Sequence, residues 1–575
     1  MQTRTSTDNT SAGPFDLQTR RLGPLPLINH FLQRIGIEQL LDRHVPTHDR
    51  RITLSHAKAL GVLLRSLIVE REPIYRQQET VVVFHPRAFG LSHDQLHLVG
   101  DDRIGRALDE LFEADRAALL TEIVISAANQ FGLSLDRLHN DSTSVRFCGQ
   151  YRMGRQPRGA QSRIPWITHG YSKDHRPDLK QLVLCLTTTR DGAVPVQFRC
   201  LDGNANDVDT HIESWEALRR LAGRPDFLYV ADSKLCSREN MDHIDRNGGR
   251  FITVMPRSRM EDSEFRKWIQ THEPQWQKVW DRPNPQRKGG PRDRWFVFVA
   301  PLPSREAWPV VWVYSALLAL RQEQTRREHI AAAIQKLSDL QTRLRATKSR
   351  IRKAQEVDER VDKILRRYKV ARYVKVRRRL HRDHTYRQLR RGRPGPETAY
   401  RRITHRRWDI QWHLDTEVIE YDRKSDGMYP LLTNDRTLAP SAVLEAHKGQ
   451  PSIEKRFEQI KTVHEIAPVF LKKPQRVEAL FTLYFIGMLV QTILERQLRL
   501  AMAREEIEEL PLYPEERRCA RPTTEQILRL YTHIQMQVLR KSGKRIQVFH
   551  TKLTELQNEL LRLLGVPKEV YLPQD

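Results

Sequence analysis

Leu138-His139-Asn140-Asp141-Ser142-Thr143-Ser144-Val145 is the stretch that decides the fold of this chain. The apolar residues before it recur at helical spacing, whereas from about residue 135 the period changes to two, which predicts a strand carrying Asp141. A second apolar stretch at 227–231 ends on Asp232, and Glu454 opens an amphipathic helix. Two strand carboxylates and one helix carboxylate are a set that can hold a pair of Mg²⁺ ions for phosphodiester chemistry.

The elements after Asp141 predict the fold class. The pattern indicates a hairpin at 180–189 and 193–201, a helix at 210–221, a strand at 227–232, a helix at 237–247 and a strand at 250–255. Asp191-Gly192 supplies the hairpin turn. This order is that of an α/β (α+β) ribonuclease-H-like fold, in which a mixed sheet brings the first and fourth strands side by side.

A chain of 575 residues is too long for one core, so we expect several domains. The first expected parts are a polar tail at 1–14 and a helical N-terminal domain at 15–132 for DNA-end binding or dimerisation. The catalytic core follows in two parts, the first at 133–256 and the second, with the Glu454 helix, at 426–500. An inserted subdomain with basic helices at 257–425 separates them, and a helical C-terminal tail follows at 501–575.

Two long segments inside these parts have distinct patterns. Residues 317–368 predict a polar helix that could fold back as a coiled hairpin, because apolar residues recur at spacings of three, four and seven: Leu337, Leu340, Leu344 and Ile351. The longest apolar run, 481–494, is too short to span a bilayer and predicts a buried core helix.

The charge of the chain favours a polyanionic partner. The net charge is +26, and residues 341–410 alone contain 25 Lys and Arg against 7 Asp and Glu. A concentrated basic surface binds nucleic acid by releasing counterions, although a solvated helical surface is the alternative. An anionic membrane fits less well, since this stretch lacks a large apolar face. Five scattered cysteines without a CxxC pair, and a polar N-terminus, indicate a cytoplasmic protein without a zinc site or disulfides.

Other interpretations of the acidic residues stay open. Asp232 could be a helix cap before Ser233. Glu458 lies one turn after Glu454 on the same helical face and could bind the metal instead. A further acidic group could also bind metal, although its Gly and Asn neighbours favour a turn: Asp202, Asp207 and Asp209.

With these motifs in view, the chain resembles the DDE transposases of bacterial insertion sequences, in the group whose third acid lies in a Tyr-Arg-Glu-Lys signature. The resemblance covers most of the chain and is carried by four motifs: Gly100 to Asp109, Gly170 to Gln181, Gly203 to Asp207 and Val230 to Ser233. The second of these is the most specific.

The signature around the third acid departs from the family in two places. Its four positions are occupied by His447, Gln450, Glu454 and Lys461, so that Tyr is His and Arg is Gln. The resemblance implies that Lys461 binds a phosphate near the scissile bond, with an ordinary surface lysine as the alternative. His447 could stack on a base or contact phosphate. Gln450 cannot supply the charge of Arg, a loss for which Lys448 or Lys455 would compensate.

The resemblance implies cut-and-paste transposition. Asp141, Asp232 and Glu454 would bind two Mg²⁺ ions, with Mn²⁺ as a substitute, and a homodimer would pair the terminal inverted repeats before joining them to target DNA. The inserted subdomain would clamp the DNA ends with Arg377, Arg378 and Arg379. Four tryptophans there would stack on a frayed base or pack in a small core: Trp268, Trp276, Trp280 and Trp295.

Two other functions remain as alternatives. One is a related nuclease that cleaves DNA without joining strands. The other is an inactive or domesticated DNA-binding protein. The presence of all three acids argues against the second.

Overall fold

The computed structural model divides the chain into two compact units, Met1–Thr253 with Glu445–Asp575, and Val254–Leu444. The residues described are 15–147, 151, 164–171, 176–284, 287, 289–346, 349–463, 471 and 473–573. The predicted polar tail at 1–14 and residues 172–175 of the Gly170–Gln181 motif lie outside them. Helices and a mixed sheet together make this an α/β structure.

The N-terminal part of the first unit is mostly helical. Its elements are β1 (Phe15–Arg21), α1 (Leu25–Ile35), α2 (Ile37–His44), α3 (His56–Val69), α4 (Gln77–Val83), α5 (Asp101–Glu113) and α6 (Arg116–Phe131). The expectation of an all-helical domain is wrong at β1. Helices α1 and α2 are separated by Gly36, whose φ of +77° favours glycine. Helices α5 and α6 are separated by Ala114 and Asp115.

The sheet of the first unit follows the predicted order. Its elements are β2 (Arg137–Phe147), β3 (Lys180–Thr189), β4 (Pro195–Leu201), α7 (His211–Ala222), β5 (Leu228–Ala231), α8 (Arg238–Arg246) and β6 (Arg250–Val254). The strands lie in the order β4-β3-β2-β5-β6. β3 is antiparallel to β2 and β4, whereas β5 is parallel to β2 and β6. The prediction that the first and fourth strands are neighbours is therefore confirmed.

The second unit contains an antiparallel sheet, a helical pair and a separate hairpin. Its elements are α9 (Met260–Trp268), β7 (Gln277–Arg282), β8 (Asp293–Val299), β9 (Val310–Ser315), α10 (Ala316–Arg345), α11 (Ala354–Arg367), β10 (Val374–Gln388), β11 (Tyr400–Leu414), α12 (Thr416–Arg423) and β12 (Met428–Thr433). Within this unit the strand order is β12-β9-β8-β7, and β10 pairs only with β11.

The predicted coiled hairpin is present as α10 and α11. A buried cluster forms between them and the base of the β10–β11 hairpin: Ala333, Leu337, Leu340, Leu344, Val357, Val361, Leu365, Val370, Val374 and Ile410. The basic residues Arg377, Arg378 and Arg379 follow this helical pair and lie on β10. A nearly all-polar strand carries no apolar alternation, so its period could not be read from the sequence.

The chain then returns to the first unit. Helix α13 (Pro440–His447) spans the boundary between the units. The last elements of the first unit are α14 (Pro451–Glu458), α15 (Pro474–Arg504), α16 (Thr524–Tyr531), β13 (Gln535–Lys541), β14 (Lys544–His550) and α17 (Glu555–Leu564). The expectation of a wholly helical tail is wrong, because β13 pairs with β1 on one edge and β14 on the other.

Helix α15 is the centre of the first unit. By length and composition it could cross a membrane, but 94% of its apolar window is buried inside the protein, as expected of a core helix. It packs against α3, α5, α17 and β4. Arg476 in α15 binds Asp109 of α5 through two hydrogen bonds of 2.7 and 2.6 Å, which ties the N-terminal helices to this core.

Candidate active site

Asp141 and Asp232 are brought level by the pairing of β2 with β5. In that parallel register Leu138 pairs with Tyr229 and His139 with Val230. Asp141 lies two residues after His139, and Asp232 lies two residues after Val230, so the two acids are at the same level. Because side chains alternate in direction along a strand, both acids share the face of His139. Asp141 is half-buried within a strand that is otherwise mostly buried, and Asp232 is also half-buried.

Local main-chain hydrogen bonds orient both carboxylates. The Asp141 Oδ1 accepts a bond of 2.7 Å from the N–H of Ser142, and the Asp232 Oδ1 accepts one of 2.9 Å from the N–H of Lys234. The helix that follows, α8, is capped instead by the hydroxyl of Ser237. The interpretation of Asp232 as a helix cap is therefore wrong. Its carboxylate orders the turn after β5.

The helix that carries Glu454 is tied to the strand that carries Asp141. The side-chain Nε2 of Gln450 donates to the main-chain carbonyl of Asn140 at 2.8 Å. Gly449 lies so close to His139 that a Cβ at this position would be 2.6 Å from the His139 Cε1. The start of α14 therefore lies over the face shared by the two aspartates. Glu454 is exposed and lies one helical turn after Gln450.

A buried ion pair anchors the same helix from its other side. Arg456 is 7% exposed. Its guanidinium donates to the carbonyls of Gly192 and Ala193 in the β3–β4 turn, at 2.8 and 3.1 Å, and binds Glu495 at 2.9 Å. Glu495 in turn accepts a bond from the N–H of Thr524 at 3.0 Å. These contacts fix α14 against both the sheet and α15.

Two histidines beside the acids are held neutral. Burial lowers the pKa of His139 to about 4, and the neighbouring Gln450 offsets part of this effect. Burial, followed by the charge of Lys448 and the proximity of His139, lowers the pKa of His447 to about 4. His447 therefore brings no positive charge at neutral pH. It can offer a ring or a neutral hydrogen bond to DNA, but not an ionic contact with phosphate.

The predicted DNA-binding residues differ in their environments. Lys455 is exposed on α14, whereas Lys448 and Lys461 are half-buried. Lys461 lies in a π-helical turn, Gln459–Val463, that continues α14. Gln450 is engaged with the main chain of β2, so its side chain holds the helix in place. Glu454 and Glu458 are both exposed.

Arg377, Arg378 and Arg379 are exposed on β10 of the second unit. The guanidinium of Arg378 pairs with Asp358 of α11 and lies 5.8 Å from the ring centre of Trp408. Arg378 therefore helps attach the hairpin to the helical pair.

The four tryptophans of the second unit pack against other aromatic rings. Trp268 stacks on Phe298 at 5.7 Å, and Trp276 lies 5.9 Å from the same ring. Trp280 meets Trp295 edge-on, and Trp295 is buried. These contacts are those of a small aromatic core. Packing in such a core was the alternative to stacking of the tryptophans on a DNA base.

The carboxylates suit Mg²⁺ by donor type and register. Carboxylate oxygens are hard ligands that Mg²⁺ prefers, and the parallel pairing supplies two of them at one level. Within the part of the chain that the structure describes, no group of three or more His, Cys, Asp or Glu side chains is close enough to hold a metal ion. The nearby Asp202 accepts a bond of 2.7 Å from the N–H of Trp166, consistent with a turn, and the side chains of Asp207 and Asp209 lie outside the described residues.

Two motifs of the resemblance meet at Gln181. Its side-chain amide donates to the carbonyls of Gly203 and Tyr171, at 2.8 and 3.1 Å. A Cβ on Gly170 would lie 1.9 Å from the Gly203 carbonyl oxygen, so both motifs require glycine for close approach of their main chains. They shape the start of β3 next to β2.

The sequence did not point to several positioning residues. Gly449, His139 and Arg456 support the acids through tertiary contacts. The one available signal was Gly449-Gln450-Pro451, which resembles an ordinary helix start.

Comparison with known proteins gives limited similarities. A family model described as a domain of unknown function (DUF4277) matches residues 17–125. No curated protein matches the chain. A solved structure, described as a cryo-EM structure of the piggyBac transposase synaptic complex with hairpin DNA, is similar with a TM-score of 0.26 and 9% identity, over 86% of this chain and 87% of that one. A TM-score this low carries no argument about fold or function.

Proposed function

We propose that this chain is a DDE transposase with a ribonuclease-H-like catalytic core. It would bind the terminal inverted repeats of a bacterial insertion sequence and catalyse Mg²⁺-dependent cleavage and strand transfer of double-stranded DNA. One observation carries the proposal. The parallel register puts Asp141 level with Asp232, on the face over which Gly449 and Gln450 hold the start of the Glu454 helix.

In this proposal Asp141, Asp232 and Glu454 hold two Mg²⁺ ions, with Mn²⁺ as an alternative. When bound, the ions lower the pKa of the attacking water or 3′-hydroxyl and stabilise the leaving oxygen. The chain itself contributes orientation. The N–H groups of Ser142 and Lys234 hold the two strand carboxylates, while Gln450 and Arg456 fix the helix.

The charge of the chain provides the DNA-binding part of the proposal. Lys448, Lys455 and Lys461 flank the Glu454 helix and would bind phosphates on either side of the scissile bond. The basic hairpin of the second unit would also bind DNA. We propose a homodimer that pairs two element ends, acting in the bacterial cytoplasm on nucleoid DNA.

The test uses the purified full chain, Mg²⁺ and a plasmid carrying the coding region with its natural flanking DNA. We expect 3′-end nicking at the element boundaries and joining of the freed ends to a second plasmid. Asp141→Asn and Asp232→Asn should abolish both products. Asp226→Asn is the matched control, because Asp226 is exposed just before β5, at the end opposite Asp232. Activity that survives in both site variants overturns the proposal.

The same assay separates the alternatives. Nicked products without joined products, even at high target concentration, would indicate a nuclease. Boundary-specific binding by the wild type with no cleavage in Mg²⁺ or Mn²⁺ would indicate a DNA-binding protein that has lost catalysis.

A further inference from the structure

The β10–β11 hairpin is a two-stranded ribbon whose outer half extends into solvent. Its strands pair continuously from Val374 with Leu414 to Gln388 with Tyr400. At the base, Val374 and Ile410 are buried against α10 and α11, and Asp409 binds Arg345 at 2.9 and 2.8 Å. Almost all residues from 381 to 406 are exposed. At about 3.4 Å per residue, eight paired positions project about 25 Å beyond the base.

The composition of this ribbon matches a polyanion. Residues 374–414 contain 13 Lys and Arg against 3 Asp and Glu, and one of those acids, Asp409, is already paired with Arg345. Such a density of arginine on a narrow, exposed ribbon fits double-stranded DNA, because each neutralised phosphate releases condensed counterions. A protein partner would favour an apolar surface, whereas exposed large apolar side chains here are few: Leu380, Tyr386, Leu389, Tyr400 and Leu414.

The tip of the ribbon has a sequence and a backbone suited to the floor of a groove. It reads Arg390-Arg391-Gly392-Arg393-Pro394-Gly395-Pro396. Gly392 has a φ of +146°, and a Cβ there would meet nothing within 4 Å. Pro394 and Pro396 favour extended backbone. Two exposed arginines, Arg391 and Arg393, therefore flank a position that carries no side chain.

This tip is held by hydrogen bonds to the strands. The Gln388 side chain donates to the Gly392 carbonyl at 3.1 Å. The N–H of Gly395 donates to the Thr398 hydroxyl at 2.7 Å, and the N–H of Thr398 donates back to the Gly395 carbonyl at 3.0 Å. Among the described residues, neither Arg391 nor Arg393 has an ion-pair partner. These hydrogen bonds hold the loop in place, and its two arginines are available to bind a ligand.

We propose that Arg391-Gly392-Arg393-Pro394 enters the minor groove of A/T-rich double-stranded DNA. This inference rests on the proposed function, since it assumes that the chain acts on DNA, and it adds a preference for base composition. The minor groove narrows in A/T-rich DNA and its negative potential attracts inserted arginines. Gly392 lets the main chain reach the groove floor. The exocyclic amino group of guanine projects into that floor and obstructs the approach.

The test measures binding of the full chain to labelled duplexes of equal length by fluorescence anisotropy in EDTA, so that catalysis is not required. Three duplexes contain A·T, G·C or inosine·cytosine pairs in their central segment. An I·C pair lacks the minor-groove amino group but presents the major groove of a G·C pair. We expect A·T and I·C duplexes to bind about tenfold more tightly than the G·C duplex.

Paired variants assign the preference to the tip. Arg391→Ala with Arg393→Ala should remove the tenfold difference. Arg360→Ala with Arg366→Ala is the control, because it removes two exposed charges from α11 and should weaken all duplexes equally. Arg391→Lys with Arg393→Lys should retain salt-dependent binding but lose most of the preference. Circular dichroism would confirm that each variant is folded.

Failure of this inference is separable from failure of the proposed function. If I·C binds like G·C, or if the preference survives in Arg391→Ala with Arg393→Ala, the minor-groove contact is wrong, while metal-dependent cleavage would leave the transposase proposal intact. If the wild type binds none of the three duplexes, the inference falls. Loss of cleavage in Asp141→Asn with an unchanged A/T preference would support both.

Discussion

Gln450 donates from its side-chain amide to the main-chain carbonyl of Asn140 at 2.8 Å, across more than 300 residues of sequence. The bond joins the residue before the Glu454 helix to the residue before Asp141. It reaches a part of β2 that lies just beyond the last residue paired with β5, His139. The bond therefore links the helix of Glu454 to the residue next to Asp141. The pairing of β2 with β5 places Asp232 level with Asp141.

Replacing Gln450 tests this coupling. Gln450→Met keeps the volume of the side chain but removes the donor, which leaves the Asn140 carbonyl unpaired and should lower the free energy of unfolding by about 1–3 kcal/mol. Cleavage should fall further than the loss of folded protein explains, because α14 is no longer fixed to β2. Urea unfolding and the nicking assay measure the two effects. Gln130→Met, at an exposed glutamine of α6, is the control, and equal behaviour of both variants would refute the coupling.

The choice between Glu454 and Glu458 is a second prediction. Glu454 lies one turn nearer to the Gln450–Asn140 bond, so Glu454→Gln should reduce nicking by at least about 100-fold, the loss expected when several kcal/mol of metal-dependent stabilisation disappear. Glu458→Gln should stay within about twofold of wild type. Both side chains are exposed, so neither change should alter the melting temperature. The reverse pattern would assign the third ligand to Glu458.

The local part of the fold was predictable, and the long-range part was not. The alternation around Asp141, the Asp191-Gly192 turn and the apolar stretch before Asp232 each predict their element from neighbouring residues, and all three are present. Strand β1 was missed because its partner lies more than 500 residues later, where Phe15 pairs with Lys541. Its own residues are mostly polar and exposed. A strand of this kind can be predicted only when its partner strand is known.

The candidate site shows the same division. The acids could be chosen from their local contexts, since each ends or interrupts an apolar pattern. The residues that support them could not, because Gly449 and Arg456 make contacts with β2 and the β3–β4 turn that no spacing encodes. The strand that carries the arginines at 377–379 could not be predicted, since a strand that faces solvent on both sides shows no apolar alternation.

The buried pair of Arg456 and Glu495 gives a third prediction. Arg456→Met leaves the buried Glu495 with Arg499, 3.4 Å away, as its remaining ion-pair partner, which should lower the free energy of unfolding by about 3 kcal/mol. It also removes two bonds to the β3–β4 turn, so cleavage should decrease in the remaining folded protein. Chemical denaturation measures the first effect. Combining Arg456→Met with Glu495→Leu should recover part of the stability, and a double variant less stable than either single one would contradict this account.

The fourth prediction concerns acid stability. In an unfolded chain the His447 imidazole titrates near pH 6.5, whereas in the folded protein its pKa is lowered to about 4 by burial, Lys448 and His139. Between these values the unfolded chain binds more protons than the folded one, so the free energy of unfolding must fall as the pH drops from about 6.5 to 4. His447 alone accounts for up to roughly 3 kcal/mol of this loss. His139, whose pKa is lowered to the same value, adds to it.

Urea unfolding of wild type and His447→Phe at pH 7 and pH 5 measures this contribution. The variant should lose less stability between the two pH values, because it no longer has a buried base that must remain unprotonated. His93→Phe is the control, since His93 is an exposed histidine in the same unit. A variant that is as acid-sensitive as wild type would place His447 in contact with water in the folded protein. The ring would then be free to carry a charge beside the Glu454 helix.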